Sequence, residues 1–283
     1  MRISTYTSRA CSEAMPRGLR GGFETHWQVM GQGPRAALAI HCSLAHSGAW
    51  AGVARALGRH LTVTAFDLPG HGNSSAWEGK GEIQAVSTAM AANFLDGPTD
   101  IIGHSFGATV ALRLAVAHPH LVRSLSLYEP VFFAVALADR PGMRAGHEAE
   151  MADYRAGVAA GDMARAARGF LRVWGDGEGW DALPEATRAR IAAQMPLIEA
   201  AAPALYGDAG GMLASGALHH IAAPVLMMQG ARSPAIIAAI NAGLAARLPD
   251  ARRVTIPGAG HMGPITRPQT VAEAIATFLG IGS

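Results

Sequence analysis

Cysteine is almost missing from this chain: Cys11 and Cys42 are its whole complement in 283 residues. A single possible pairing is no disulfide framework at this length, so both thiols are expected to be free. Charge is also scarce, at 16% of residues with a formal net of +2, and the arginines are scattered rather than gathered into a block. Nothing here would neutralise a run of phosphates, which argues against a nucleic-acid partner. No apolar run approaches the roughly 20 residues that span a bilayer, because Arg, His, Asp or Pro interrupts every Ala-rich stretch. The opening MRISTYTSRACSEAMPRGLRGGF is broken by Arg, Ser, Glu and Pro and lacks the apolar segment of an export signal. A cytoplasmic protein with no membrane association is the expectation. Metal-ligand spacings are missing too: there is no HxxxH or CxxC, and His219-His220 stand without further spaced ligands, so no metal is expected.

What is present is apolar. Half the residues are hydrophobic, enough to bury a substantial core and too many for extended disorder. Short runs rich in branched residues alternate with longer Ala and Leu patterns at helical spacing, the order of a mostly parallel α/β sheet covered by helices. Buried strands are predicted at 36–41, 61–67, 100–104, 121–128, 224–229 and 252–256, and helices at 47–59, 82–95, 106–117, 234–248 and 269–279. Between about 131 and 223 the alternation gives way to helical patterns such as MARAARGFLRVW, interrupted by the loop 175–179. The expected organisation is an N-terminal extension over 1–22, a core over 23–131 and 224–283, and a helical cap over 132–223.

Gly103-His104-Ser105-Phe106-Gly107 follows one strand and opens the helix ATVALRLAVA. A sharp strand-to-helix turn would hold Ser105 in strained backbone geometry with its hydroxyl exposed, while glycines two before and two after let strand and helix approach. The start of the following helix directs the Phe106 amide toward a developing oxyanion. A serine hydroxyl is a weak nucleophile near neutral pH and needs a histidine to take its proton. Of the 12 histidines, His261 follows the last strand and the loop Gly258-Ala259-Gly260, just before the terminal helix.

These motifs and their order resemble the α/β-hydrolase superfamily from about Phe23 to Leu279. The supporting pieces are His41-Cys42-Ser43, the segment DLPGHGNS from Asp67 to Ser74, the turn at Ser105, and Gly258-Ala259-Gly260-His261. The resemblance implies that fold with an inserted helical cap, Ser105 as nucleophile and His261 as base. It also implies an oxyanion hole from the backbone N–H groups of Phe106 and Ser43, although Cys42 replaces the glycine usual after the histidine.

The orienting acid departs from the pattern. Its usual place, a few residues after the seventh strand, is Gly230-Ala231-Arg232-Ser233, and a neutral hydroxyl at Ser233 cannot stabilise an imidazolium. The fold's second location, after the sixth strand as in haloalkane dehalogenases, holds Glu129. Asp67 is an alternative, although in such segments it more often fixes the turn, and a site without any acid is another. Phe132, Phe133, Trp174 and Trp180 are candidate pocket walls. The function expected from these residues is cofactor-independent hydrolysis of a small to medium ester, thioester or lactone through an acyl-enzyme on Ser105. Hydrolytic C–C cleavage of a diketone-like compound and a non-catalytic ligand receptor are the alternatives. A small molecule is the expected partner.

Overall fold

Apolar strands that carry Val, Ile and Ala on both faces must be covered on both, and the central strands of the eight-stranded sheet of this computed structural model are covered in that way. The two edges of the sheet are largely exposed. Among the exposed residues are 252–255 of the last strand, which the sequence reading expects to be buried, because their pattern does not show that they lie at an edge. The structure describes residues 16–175, 179–214 and 216–282; Cys11 lies outside them. The strands are β1 (Arg17–Arg20), β2 (Phe23–Met30), β3 (Arg35–Ile40), β4 (Leu61–Phe66), β5 (Thr99–His104), β6 (Val122–Tyr128), β7 (Val225–Gly230) and β8 (Ala251–Ile256). Their spatial order is β1-β2-β4-β3-β5-β6-β7-β8. The first two run antiparallel to their neighbours, and every pair from β4 onward is parallel. This is the mostly parallel, helix-flanked sheet with a helical insertion that the sequence predicts.

One face packs on α1 (Ala51–Leu57) and α11 (Pro268–Leu279), where Trp50, Val53, Val271 and Ile275 meet Leu226 and Met228. The other face packs on α2 (Ile83–Ala92), α3 (Phe106–Ala117) and α10 (Ala235–Ala245) through Met90, Leu112, Ile237 and Ile240. Between β6 and β7 come α4 (Phe133–Asp139), α5 (Arg144–Glu150), α6 (Ala152–Ala159), α7 (Met163–Trp174), α8 (Glu185–Ala193) and α9 (Met195–Gly207). α6 and α7 approach closely because a Cβ on Gly157 or Gly169 would fall 2.3 Å or 2.5 Å from backbone nitrogen of the opposite helix.

Two boundaries differ from expectation. The sheet begins at Arg17 rather than after residue 22: Gly21 and Gly22, with φ of 56° and 81°, form the two-residue turn that joins β1 to β2. Paired glycines suit that turn because both positions need positive φ, a signal that the reading of 1–22 as an extension passed over. The insertion expected to start at 132 opens with α4, yet α4 packs on the core helix α10. A Cβ on Gly243 would press on Val135 at 2.4 Å, and Arg247 donates to both carboxylate oxygens of Asp139 at 2.7 Å.

Candidate active site

The turn between β5 and α3 places Ser105 at φ 56°, ψ −119°, a conformation that costs a non-glycine residue of order 1–3 kcal/mol and persists only where its surroundings enforce it. They do so at close range. A Cβ on Gly103 would sit 2.6 Å from Ala108 Cα, and one on Gly107 2.3 Å from the carbonyl oxygen of Ile40. Helix α3 can therefore lie against the ends of β3 and β5 only with glycine at both positions. The Ser105 N–H donates to Tyr128 O at 2.9 Å, which fixes the turn to β6.

Ser105 Oγ lies 3.0 Å from His261 Nε2, and His261 Nδ1 lies 2.8 Å from Glu129 Oε2. All three residues are buried. A carboxylate only accepts, so Nδ1 carries the hydrogen and Nε2 presents its lone pair to the serine hydroxyl. Glu129 is itself at positive φ, 48°, just past β6. Its second oxygen accepts the Gly230 N–H at 2.6 Å and the Ser233 hydroxyl. Ser233, in the position where the sequence pattern leads one to expect the acid, thus donates to Glu129 instead.

Asp67 does not join this line. It accepts from the Ser47 amide at 2.6 Å, the Asn73 amide at 2.8 Å and His26 Nδ1 at 2.8 Å. Burial would raise its pKa, but the amides of Asn73 and Ser47 outweigh that and hold it below the ordinary carboxylate value. Its work is to fix the turn from Asp67 to Ser74.

Other histidines brace the site while neutral. His104 Nε2–H donates to His261 O at 2.8 Å, and burial, reinforced by His261, holds its pKa well below the ordinary value. His41 donates from Nδ1 to Cys42 O at 2.7 Å and accepts the Leu68 N–H on Nε2 at 3.0 Å, which pins the loop carrying Ser43. Burial and then His71 lower the His41 pKa to about 3, and burial lowers that of His71 to about 4. Cys42 is a buried free thiol, pushed up to about 12 by burial, and so no thiolate.

A pH dependence of stability follows. The folded pKa values of His41 and His71 lie below the ordinary 6.5, so their contribution is complete above about pH 6.5. It is lost as pH falls toward 4, because the unfolded chain takes up protons that the fold refuses. Each group should cost about 2 kcal/mol at pH 5. Thermal unfolding should therefore show a Tm clearly lower at pH 5 than at pH 7.5; an unchanged Tm would show these imidazoles to be accessible to protons in the fold.

Two cavities meet at Ser105. The outer cleft, about 460 Å³, runs between the loop from Cys42 to Ala49 and helices α7 and α8, with Arg190 and Ile191 on its cap side. The inner chamber, about 60 Å³, lies between the core and helices α6, α7 and α9, and includes Phe133, Tyr154, Glu199 and Tyr206. Ser43, Ser105, Phe170, Trp174 and His261 border both.

Of the pocket walls expected from sequence, Phe133 and Trp174 are present, and Trp174 meets the His261 ring edge-on at 4.9 Å between centroids. Phe132 is not a wall: it is fully buried in the hydrophobic core, since adjacent residues at this helix start face opposite ways. Trp180 is not one either. It borders two grooves with Arg168 and Arg172, and neither of them includes Ser105. Phe170 was missed, although its i, i+4 spacing from Trp174 on α7 puts both on one helix face. Among the described residues no group of three or more His, Cys, Asp or Glu could hold a metal ion, and no helix is long and apolar enough to cross a membrane.

Residues 37–274 match the model of the Alpha/beta hydrolase family, and the chain belongs to that family. It is 30% identical over 272 residues to a pimeloyl-[acyl-carrier protein] methyl ester esterase of Chromobacterium violaceum, an alignment covering 89% of this chain and 96% of that protein. It is 41% identical over 118 residues to lipase LipV of Mycobacterium tuberculosis, covering 40% of this chain and 43% of the lipase. In structure it is similar to epoxide hydrolase VrEH1 of Vigna radiata, with a TM-score of 0.70 at 18% identity over 94% of this chain and 97% of the other. With this family and these relatives, the protein is a hydrolase of the esterase and lipase type.

Proposed function

We propose that the protein is a serine hydrolase that cleaves a small to medium carboxylic ester, thioester or lactone by way of an acyl-enzyme on Ser105. The observation that carries this reading is the continuous hydrogen-bonded line from Glu129 through His261 to Ser105, ending where two cavities meet.

As the Ser105 oxygen attacks the carbonyl carbon, its proton passes to His261 Nε2, and Glu129 stabilises the imidazolium that forms. The amides of Phe106 and Ser43 take the oxyanion, donors that need no reorganisation at the moment of reaction. The carbon–oxygen bond to the alcohol, or the carbon–sulfur bond to a thiol, then breaks, and the leaving group takes the proton from His261. Water next gives a proton to the same nitrogen, adds to the acyl carbon and releases the acid, and the proton returns to Ser105. Side chains and water supply every proton and electron pair in this sequence.

A fluorophosphonate probe reports the nucleophile directly. One label per chain, located at Ser105, is the expected result; an unlabelled chain that also fails to turn over an activated aryl ester would overturn the reading.

A further inference from the structure

The two cavities at Ser105 differ in size and in charge. The inner chamber holds about 60 Å³, space for about four or five waters, and its wall is mostly apolar. Its one charged side chain is Glu199, whose Oε1 accepts the Tyr154 hydroxyl. Burial and then that bond raise the Tyr154 pKa, so Tyr154 stays protonated and Glu199 stays its acceptor. The outer cleft is several times larger and carries no carboxylate on its wall. It carries Arg190, whose Nη1 donates to Gln194 Oε1 at 3.2 Å and reaches Leu44 O at 3.4 Å across the cleft. Among the described residues Arg190 has no acidic partner within ion-pair distance.

Phe170 and Trp174 stand between the two spaces, one helical turn apart on α7. The group that stays bound through Ser105 and the group that departs must occupy different sides of the attacked carbon. Departure needs an exit and a nearby proton. His261 borders both spaces, so the proton does not choose between them; room does, and the outer cleft, about 460 Å³ with Met262 and Ile265 in its wall, has far more of it for a departing group.

Resting on the serine-hydrolase reading above, we propose that the Phe170–Trp174 wall sorts the substrate. The inner chamber takes a short acyl group of about four carbons without a negative charge, and the outer cleft takes a larger leaving group bearing an anionic substituent that faces Arg190. The substrate class is a short-chain acyl ester of an anionic alcohol or phenol.

Two sets of esters test this on the full chain. With 4-nitrophenyl esters of two to ten carbons, kcat/KM of the wild type should peak near four carbons and fall about tenfold by eight, the cost of overfilling a packed space. Phe170→Ala should move that fall to longer chains. With butyryl esters of 4-hydroxybenzoate and of its neutral methyl ester, the anionic-to-neutral ratio of kcat/KM should drop about fivefold in Arg190→Ala. Comparing ratios between proteins cancels the intrinsic reactivity of the two phenols.

A wild-type profile that still rises at eight or ten carbons overturns the proposal, and this readout stands even if Phe170→Ala fails to fold. So does a ratio that Arg190→Ala leaves unchanged. Failure to turn over any ester, with no fluorophosphonate label, would instead remove the underlying serine-hydrolase reading and the proposal with it.

Discussion

Ser105→Ala will lower kcat on an activated aryl ester by roughly 10⁴- to 10⁶-fold, with no loss of thermal stability. Nothing else on the cavity wall can replace the hydroxyl: Cys42 is a protonated thiol whose pKa is raised to about 12, and the Ser43 side chain has no imidazole partner among the hydrogen bonds of the described residues. The strained turn should survive the change, because the Ser105 amide bond to Tyr128 O and the close approaches at Gly103 and Gly107 are all backbone features. Alanine loses one hydroxyl at φ 56° and adds no bulk. The measurement is kcat beside a thermal melt. Near-full activity in a folded variant would remove Ser105 as the nucleophile, whereas lost activity with a Tm many degrees lower would mean that the hydroxyl had held the turn.

The neighbourhood of Ser105 was legible because local sequence dictates it. A strand, a glycine-flanked turn and a helix all lie within residues 99–117, and the contact that demands Gly103 is to the helix of that same stretch, whereas the one that demands Gly107 is to the end of β3. That His261, past β8, would meet Ser105 comes from the order Ser then His together with the resemblance to the family, which places its base before the terminal helix. Glu129, the first residue past β6, comes from the resemblance to the family, whose second location for an acid lies there, with Asp67 as an alternative.

The pocket was not readable in that way. Which aromatic faces the substrate depends on how α7 and α9 dock over the sheet, and no local period encodes the docking. Phe132 and Phe133 are adjacent, equally apolar and both buried in the core, yet only Phe133 also borders the inner chamber, where it stacks on Tyr206 at 4.5 Å. Phe170 lies in a helix whose pattern states which residues share a face but not what the face covers. Arg190 looks like any surface arginine until α8 is placed opposite Leu44. The hairpin from β1 to β2 is a different case: its Gly21-Gly22 turn was visible, but Arg17, Arg20 and Glu24 around it lack the apolar alternation that marks a strand.

Glu129→Gln should lower kcat by about 10³- to 10⁴-fold, because an amide leaves the imidazolium without its counter-charge and offers His261 Nδ1 either a donor or a neutral acceptor. KM should change little, since Glu129 is fully buried behind His261 and borders neither cavity. Ser233 makes the stronger test. Its hydroxyl already donates to Glu129, so an aspartate there would bring a carboxylate to the edge of the same line. In wild-type background Ser233→Asp should be harmful, because two carboxylates would face each other in a buried space with only the Gly230 amide and one imidazole to share. Combined as Glu129→Ser with Ser233→Asp, the exchange returns a serine beside one acid with the order reversed, and kcat should recover at least about tenfold over Glu129→Gln. A Glu129→Gln enzyme with wild-type kcat would exclude Glu129 as the orienting acid. Recovery in the exchanged enzyme would mean that His261 Nδ1 requires a negative charge from its side of the sheet and accepts it from either strand end; no recovery, beside a crippled Glu129→Gln, would mean that the positive-φ turn after β6 supplies a geometry that the loop after β7 cannot.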